Sequence, residues 1–82
     1  MRLKKNIAVS ESGFMFDPTT GDSFSLNPVA VDIVQHLQQG LPEEDIIREL
    51  QKAYDADKSV LERNFHDFVG MLKQYNLVAN ED

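Results

Sequence analysis

The two histidines, His36 and His66, are the side chains of this sequence best suited to metal binding or to proton transfer near neutral pH. The apolar periodicity places them on different predicted helices, and neither has a second histidine three or four residues away. A metal site would therefore need acidic ligands from elsewhere in the fold. The pattern is typical of ordinary surface or boundary histidines, and no metal or other cofactor is expected.

A short acidic segment resembles the opening of a calcium-binding loop. Asp55, Asp57 and Ser59 alternate as the first ligands of an EF-hand do. That loop needs glycine at its sixth position and a bidentate glutamate at its twelfth, where this sequence has Val60 and His66. The calcium hypothesis fails at both positions, and a turn between two helices explains the segment better.

Patterns of known catalytic sites are missing from the sequence. It has no glycine-rich phosphate loop, no nucleophile elbow and no HExxH motif. Without cysteine, the available nucleophiles are serines in predicted turns and strands that have no evident base. The carboxylates lie mostly in the first turn of a helix or on polar faces, where solvation and the helix dipole account for them. We therefore expect a protein that holds another molecule and is not an enzyme.

The composition limits the size and the partners of the protein. With 82 residues, of which 41% are hydrophobic, the chain has enough apolar side chains for one core, so a single domain over residues 1–82 is expected. The net charge of −6 repels nucleic-acid phosphates, and no apolar run could span a bilayer. The basic start lacks the apolar stretch of a signal peptide, and a chain without cysteine suits a reducing compartment. We expect a cytoplasmic protein that binds neither nucleic acid nor membranes.

Alternating apolar residues predict three short strands at the start of the chain. They cover residues 7–10, 13–16 and 23–26. Between the second and third, the segment 17–22 contains aspartate, proline and glycine in the order that favours a chain reversal. The apolar pairs that share a face are Ile7 with Val9, Phe14 with Phe16, and Phe24 with Leu26. The three strands are predicted to form an antiparallel meander.

Two amphipathic helices are predicted next. Asn27 followed by Pro28 is a strong helix start, because asparagine accepts a bond from the first turn and proline lacks the donor that would stay unpaired. Gly40 is placed to end this helix in a left-handed conformation. Pro42 then opens a second helix with three acidic residues in its first turn.

A third helix is expected to begin near Asp57 or at Ser59, where a capping box is found, and to end near Tyr75. Asn76 is a plausible left-handed cap. A little strand at Leu77 and Val78 and then a polar tail, residues 79–82, complete the sequence, with the core within about 6–78.

The order β-β-β-α-α-α, with strands segregated from helices, indicates an α+β fold. Gly70 is unusual in this scheme, because a glycine in the interior of an exposed helix costs about 1 kcal/mol relative to alanine. Two explanations are open. Either the third helix packs closely on a neighbour at Gly70, or another molecule approaches the backbone there.

Several sequence elements occur in the order and spacing of a known family. The most specific is Leu26-Asn27 followed by Ala30 and Ile33. The others are the turn from Asp17 to Gly21, Gly40 with Ile46 and Leu50, and finally Asn64, Phe65, Phe68, Val69, Leu72 and Leu77. On these residues the stretch 14–78 resembles the PqqD family, the pyrroloquinoline quinone biosynthesis protein D group and the related recognition elements of ribosomally made, modified peptides.

The resemblance implies a winged-helix-like domain of three strands and three helices, in agreement with the predicted order. It also implies that a leader or precursor peptide adds as a strand to the edge of the third strand, against the third helix. The domain would present this peptide to a modifying enzyme, often a radical S-adenosylmethionine (SAM) protein. Pro42, Asn64 and Asn76-Leu77 differ from the pattern of the quinone-pathway branch, which indicates a divergent or generic member.

Carried over by position, the resemblance implies two groups of peptide-binding residues. The edge of the third strand would contribute Asp22, Ser23, Phe24, Ser25 and Leu26. The third helix would contribute Asn64, Asp67, Phe68 and Met71. For Phe68 a place in the core is also open, since it lies on the apolar stripe of that helix. For Asn64 plain solvent exposure is also open.

Two other functions remain open at this stage. The chain could be an accessory subunit of a larger enzyme, or it could self-associate as a dimer, since an exposed strand edge can pair with any extended chain. The second and third helices could also form a helix-turn-helix that binds nucleic acid. The mixed signs of the exposed positions on the third helix and the acidic net charge argue against that alternative.

Overall fold

The computed structural model describes residues 1–79. The elements in chain order are β1 (Arg2–Leu3), β2 (Ala8–Val9), β3 (Phe14–Phe16), β4 (Ser23–Ser25), α1 (Pro28–Gln38), α2 (Glu43–Ala53), α3 (Lys58–Gln74) and β5 (Val78–Ala79). The predicted α+β architecture is confirmed, with β2, β3 and β4 as the three predicted strands. The remainder of the predicted polar tail, after Ala79, lies outside the described residues.

The strands β2, β3 and β4 form an antiparallel meander, as predicted. The alternation of Phe14 and Phe16 suggests that they face the core, but the inner face of the sheet is the other one. Met15 lies opposite both Val9 and Phe24, so these three side chains share the inner face, where Met15 is fully buried. Phe14 and Phe16 do share a face, as predicted, but it is the outer one, and they are 59% and 43% exposed. The alternation in the sequence correctly predicts which residues of a strand share a face, but it does not show which face packs against the core.

The chain reversal between β3 and β4 is built on Asp17, which is buried. One carboxylate oxygen of Asp17 accepts a hydrogen bond from the amide of Thr19 at 2.9 Å, and its carbonyl accepts one from the amide of Gly21 at 2.8 Å. Gly21 has a φ of 81°, a conformation that glycine adopts without steric cost. The turn predicted from aspartate, proline and glycine is confirmed.

Most predicted helix ends are confirmed by local hydrogen bonds. Asn27 caps α1, since its side-chain oxygen accepts from the amide of Ala30 at 2.8 Å. Gly40 and Asn76 follow α1 and α3 with φ of 80° and 59°, and the amide of the residue after each bonds back to the preceding helix. Of the two starts predicted for α3, the one near Asp57 is confirmed, since Asp57 is the N-cap and Lys58 the first helical residue. The capping box at Ser59 is wrong, because Ser59 lies inside the first turn.

The core lies where the helices meet the inner face of the sheet. Its most completely buried members include Met15, Ile33, Val34, Leu37, Ile46, Leu50, Leu61, Phe65, Leu72 and Leu77. At its margin the hydroxyl of Tyr54, just after α2, donates to the carboxylate of Asp32 on α1 at 2.6 Å. This hydrogen bond to Asp32 raises the pKa of Tyr54, because losing the proton would break the bond and set two negative charges side by side.

A second, two-stranded sheet joins the ends of the described chain. β1 pairs antiparallel with β5, with Arg2 opposite Ala79 and Leu3 opposite Val78. The sequence predicted a strand near β5, but it did not predict β1. None of the helices formed by residues 1–79 is long and apolar enough to cross a membrane.

Candidate functional site

The strand β4 forms one edge of the three-stranded sheet, and its hydrogen bonds to β3 follow a fixed alternation. The amide of Leu26 donates to the carbonyl of Gly13 at 2.7 Å, and the amide of Asp17 donates to the carbonyl of Asp22 at 2.9 Å. Hydrogen-bonded pairs occur at every second residue of an antiparallel ladder. Asp22, Phe24 and Leu26 therefore direct their backbone polar groups toward β3.

The alternate residues of β4, Ser23 and Ser25, direct their backbone groups away from β3. Each contributes one N–H and one C=O, and no strand of the described chain pairs with this side of β4. Both side chains are exposed on the outer face of the sheet. β4 thus presents two donors and two acceptors to any extended chain that comes alongside.

A groove of about 360 Å³ lies between the start of α1 and the middle of α3. Its floor is apolar, since Ile33 is fully buried and Phe68 and Met71 are half-buried. Asn64 and Asp67 are exposed at its rim. The residues that line it, called the α1–α3 groove below, are Asn27, Val29, Ala30, Ile33, Asn64, Asp67, Phe68 and Met71.

The edge of β4 and the α1–α3 groove adjoin one another. Leu26, which follows β4, leads directly into Asn27 in the groove lining. On the inner face of the sheet, the ring of Phe24 contacts the ring of Tyr75 at the end of α3, edge to face, with centroids 5.1 Å apart. Phe24 and Leu26 pack on the same core cluster as Phe68 and Met71. The two features form one continuous surface, a strand edge beside an apolar groove.

The structure places all nine predicted site residues on or beside this surface, although they contribute differently. The four from α3 line the α1–α3 groove together. Of the five from the third strand, Ser23 and Ser25 offer backbone groups to the edge, whereas Phe24 and Leu26 contribute half-buried side chains. Asp22 is exposed, and its backbone is engaged with Asp17 and, through its amide, with the hydroxyl of Thr20.

Sequence reasoning missed the residues that α1 contributes to the groove. Val29, Ala30 and Ile33 belong to the apolar pattern of α1, and a pattern alone does not distinguish the floor of a groove from the interior of a core. Asn27 was interpreted as a helix cap, a role that it does perform. The sequence predicts Tyr75 only as the end of α3, and its contact with Phe24 depends on tertiary packing.

A larger hollow, of about 470 Å³, lies on the other side of α3 against α2. Its lining, called the α2–α3 hollow below, consists of Pro42, Glu43, Glu44, Ile47, Arg48, Gln51, Lys58 and Glu62. Next to it the imidazole Nε2 of His66 lies 2.8 Å from a carboxylate oxygen of Glu43. Five charged side chains surround this hollow, whereas the α1–α3 groove contains one, Asp67.

The remaining residues singled out in the sequence do not build a site. His36 and His66 lie on α1 and α3, and residues 1–79 contain no group of three or more histidine, aspartate or glutamate side chains arranged to hold a metal ion. Gly70 is exposed, and a Cβ atom added to it would meet nothing within 4 Å. Close packing of α3 on a neighbour at Gly70 is therefore wrong.

Comparisons with known proteins agree with this geometry. The chain is similar to the structure described as "TbiB1 in Complex with the TbiA(beta) Leader Peptide", with a TM-score of 0.85 and 24% identity over 100% of this chain and 99% of that one. It is also similar to "Lasso peptide synthetase B1 complexed with the leader peptide", with a TM-score of 0.82 and 27% identity over 96% of each chain. The search of curated proteins gave no match.

The family profile described as "Coenzyme PQQ synthesis protein D (PqqD)" matches residues 13–78. The match spans β3, β4, all three helices and the first residue of β5, and it begins after β2. It therefore includes the whole surface formed by β4 and the α1–α3 groove. On this evidence the chain belongs to the PqqD family.

Proposed function

We propose that this protein binds a leader or precursor peptide as an additional strand on β4, against the α1–α3 groove, and presents it to a modifying enzyme. The observation that carries the proposal is the open edge of β4 directly beside an apolar groove. Family membership and the similarity to lasso peptide synthetase B1, whose structure is complexed with a leader peptide, support the same function.

The alternation of β4 determines how such a peptide would be held. Its backbone would bond to Ser23 and Ser25, giving up to four hydrogen bonds that do not depend on its sequence. A peptide side chain opposite Phe24 would point inward, toward α3 and the groove. Selectivity would then come from apolar side chains that fit over Phe68 and Met71.

Electrostatics add a weaker preference to the proposed site. Asp67 at the groove rim and Asp22 just before β4 are both exposed and acidic. A peptide with basic residues near its ends would be attracted, within the screening distance of about 8–10 Å at physiological salt. The enzyme that receives the peptide would belong to the class implied by the family resemblance, such as a radical SAM protein, and the domain itself would do no chemistry.

The test is a nuclear magnetic resonance titration of the ¹⁵N-labelled protein with the precursor peptides encoded beside its gene. Shifts or broadening are expected at the amides of Ser23 and Ser25 and along the groove side of α3. A scrambled peptide of the same composition is the control. An intact spectrum that none of the encoded peptides perturbs would contradict the proposal.

Two substitutions at one position separate strand addition from other modes of binding. Ser25→Pro removes an outward N–H without breaking a bond to β3, as proline is tolerated on the open side of an edge strand. Peptide affinity should fall about tenfold or more, because the ring also obstructs the edge. Ser25→Thr keeps the N–H and should retain affinity. Equal affinity of the two variants, both folded by circular dichroism, would exclude pairing at Ser25.

A further inference from the structure

The outer face of the three-stranded sheet exposes an aromatic pair that the proposed peptide site does not use. Phe14 and Phe16 are 59% and 43% exposed, although both lie in the central strand of the sheet. Their partners across the sheet are Ser25 and Ser23 on β4, and Ala8 on β2. These five side chains, called the aromatic face below, form two rows across the sheet.

The aromatic face carries no charge on a protein in which 27% of residues are charged. Depletion of charge together with exposed aromatic rings is typical of the centre of a protein–protein interface. The inner face needs neither ring, because Met15 and Phe24 fill that side of the sheet. The hydrophobic core of the described chain therefore does not account for phenylalanine at positions 14 and 16.

The size of the aromatic face constrains its partner. With about 200 Å² for a whole phenylalanine side chain, the two exposures together amount to roughly 200 Å² of aromatic surface. A stable homodimer buries about 800 Å² on each subunit. The face is therefore too small for a second copy of this chain to bind through it alone, and it needs additional surface beside it.

A peptide on β4 would supply that surface. Its residues opposite Ser23 and Ser25 would point outward and extend the same two rows that contain Phe16 and Phe14. A protein that covers the two rings would therefore also contact every second side chain of the bound peptide. The enzyme that receives the peptide is a partner of this kind, because it approaches the chain while the peptide is bound.

We propose that the aromatic face is the docking surface for an apolar patch on the peptide-modifying enzyme, which binds it together with the outward side chains of the peptide. This inference rests on the proposed function. It makes binding of the enzyme and of the peptide mutually reinforcing, because the loaded chain offers the larger surface.

The test uses the purified enzymes encoded by the genes adjoining the gene of this chain. Their affinity for the chain is measured by biolayer interferometry with and without the precursor peptide, and it should be higher with the peptide. The double variant Phe14→Thr with Phe16→Thr replaces both rings with threonine, a β-branched residue that also favours strands. It should weaken enzyme binding about tenfold or more and change peptide affinity less than twofold.

The control is Val60→Thr, which removes an exposed apolar side chain from α3, away from the sheet, and should change neither affinity. Unchanged enzyme binding by the double variant, or no enzyme binding to the loaded chain at all, would overturn the proposal. The proposal would also be overturned if the wild-type chain sedimented as a dimer and the double variant as a monomer. That result would assign the aromatic face to self-association. Failure of the proposed function is distinct, since the wild-type chain would then bind no peptide in the absence of enzyme.

Discussion

Two hollows flank α3, and they differ in chemistry more than in size. The α2–α3 hollow is the larger, at about 470 Å³ against about 360 Å³, but charged side chains from both helices surround it. The α1–α3 groove has an apolar floor and continues into the open edge of β4. Volume alone would select the α2–α3 hollow as the binding site. Unpaired backbone groups beside an apolar surface select the second, because together they can hold an extended chain.

The α2–α3 hollow has an explanation that needs no ligand. Two of its charged residues form ion pairs: Arg48 pairs with Asp45 at 3.0 Å within α2, and Glu43 pairs with His66 of α3 at 2.8 Å. These groups are well exposed, and ion pairs of this kind contribute little to stability. The hollow is therefore best described as the solvated seam between two helices.

The largest expected difference between the two hollows is in how a substitution changes peptide affinity, and it should appear when an apolar side chain is made polar. Met71→Gln places a polar group of similar length in the α1–α3 groove. Peptide affinity should fall roughly tenfold or more, the equivalent of losing about 1.5–3 kcal/mol of apolar burial. Gln51→Ala in the α2–α3 hollow is the control and should leave affinity unchanged in calorimetric titrations. A loss with Gln51→Ala, and none with Met71→Gln, would reverse our choice of site.

A second prediction concerns Gly70, on the exposed side of α3. Gly70→Ala should stabilise the protein by about 1 kcal/mol, because an added Cβ meets nothing within 4 Å and alanine favours the helix. For a chain of this size that corresponds to a rise of about 4–8 °C in melting temperature.

The opposite result is expected at Gly13, where φ is 101° and a Cβ would lie 2.7 Å from the carbonyl oxygen of Leu26, so Gly13→Ala should lower the melting temperature.

Peptide affinity of Gly70→Ala should match wild type if the bound molecule stays in the α1–α3 groove. A stable Gly70→Ala protein that binds peptide weakly would show that the bound molecule extends over α3, and would revive a binding role for this glycine.

The smallest expected difference in peptide affinity comes from reversing a charge at each hollow. Asp67→Lys at the α1–α3 groove and Glu62→Lys at the α2–α3 hollow change the net charge equally. With a basic precursor peptide, Asp67→Lys should weaken binding a few-fold at low salt, and the effect should shrink as salt screens the charges. Glu62→Lys should have less effect. Equal, salt-sensitive losses in fluorescence anisotropy would mean that net charge, and not the position of Asp67, attracts the peptide.

The elements that sequence predicts well here are those whose cause is local. Asn27-Pro28 starts α1, and Gly40 and Asn76 end helices, because a cap requires a particular residue within a few positions. Ser59 shows the limit of this reasoning. It fits a capping box, but α3 begins one residue earlier, with Asp57 before it and without a side-chain bond from that aspartate.

The elements that sequence missed depend on contacts between distant residues. β1 has two residues and exists because β5, more than seventy positions later, pairs with it. The exposure of Phe14 and Phe16 depends on which face of the sheet the helices cover. The α3 residues of the site could be inferred because the family resemblance supplied their positions, whereas those from α1 required the packed structure.

The brevity of β4 also bears on whether copies of the chain could associate edge to edge. An open edge is a template for sheet growth between copies, and long, flat, apolar edges are the ones that aggregate. β4 spans three residues, and its outward side chains are both serine. Such an edge offers only two outward N–H and two outward C=O groups, and it is too short and too polar to act as a template for sheet growth.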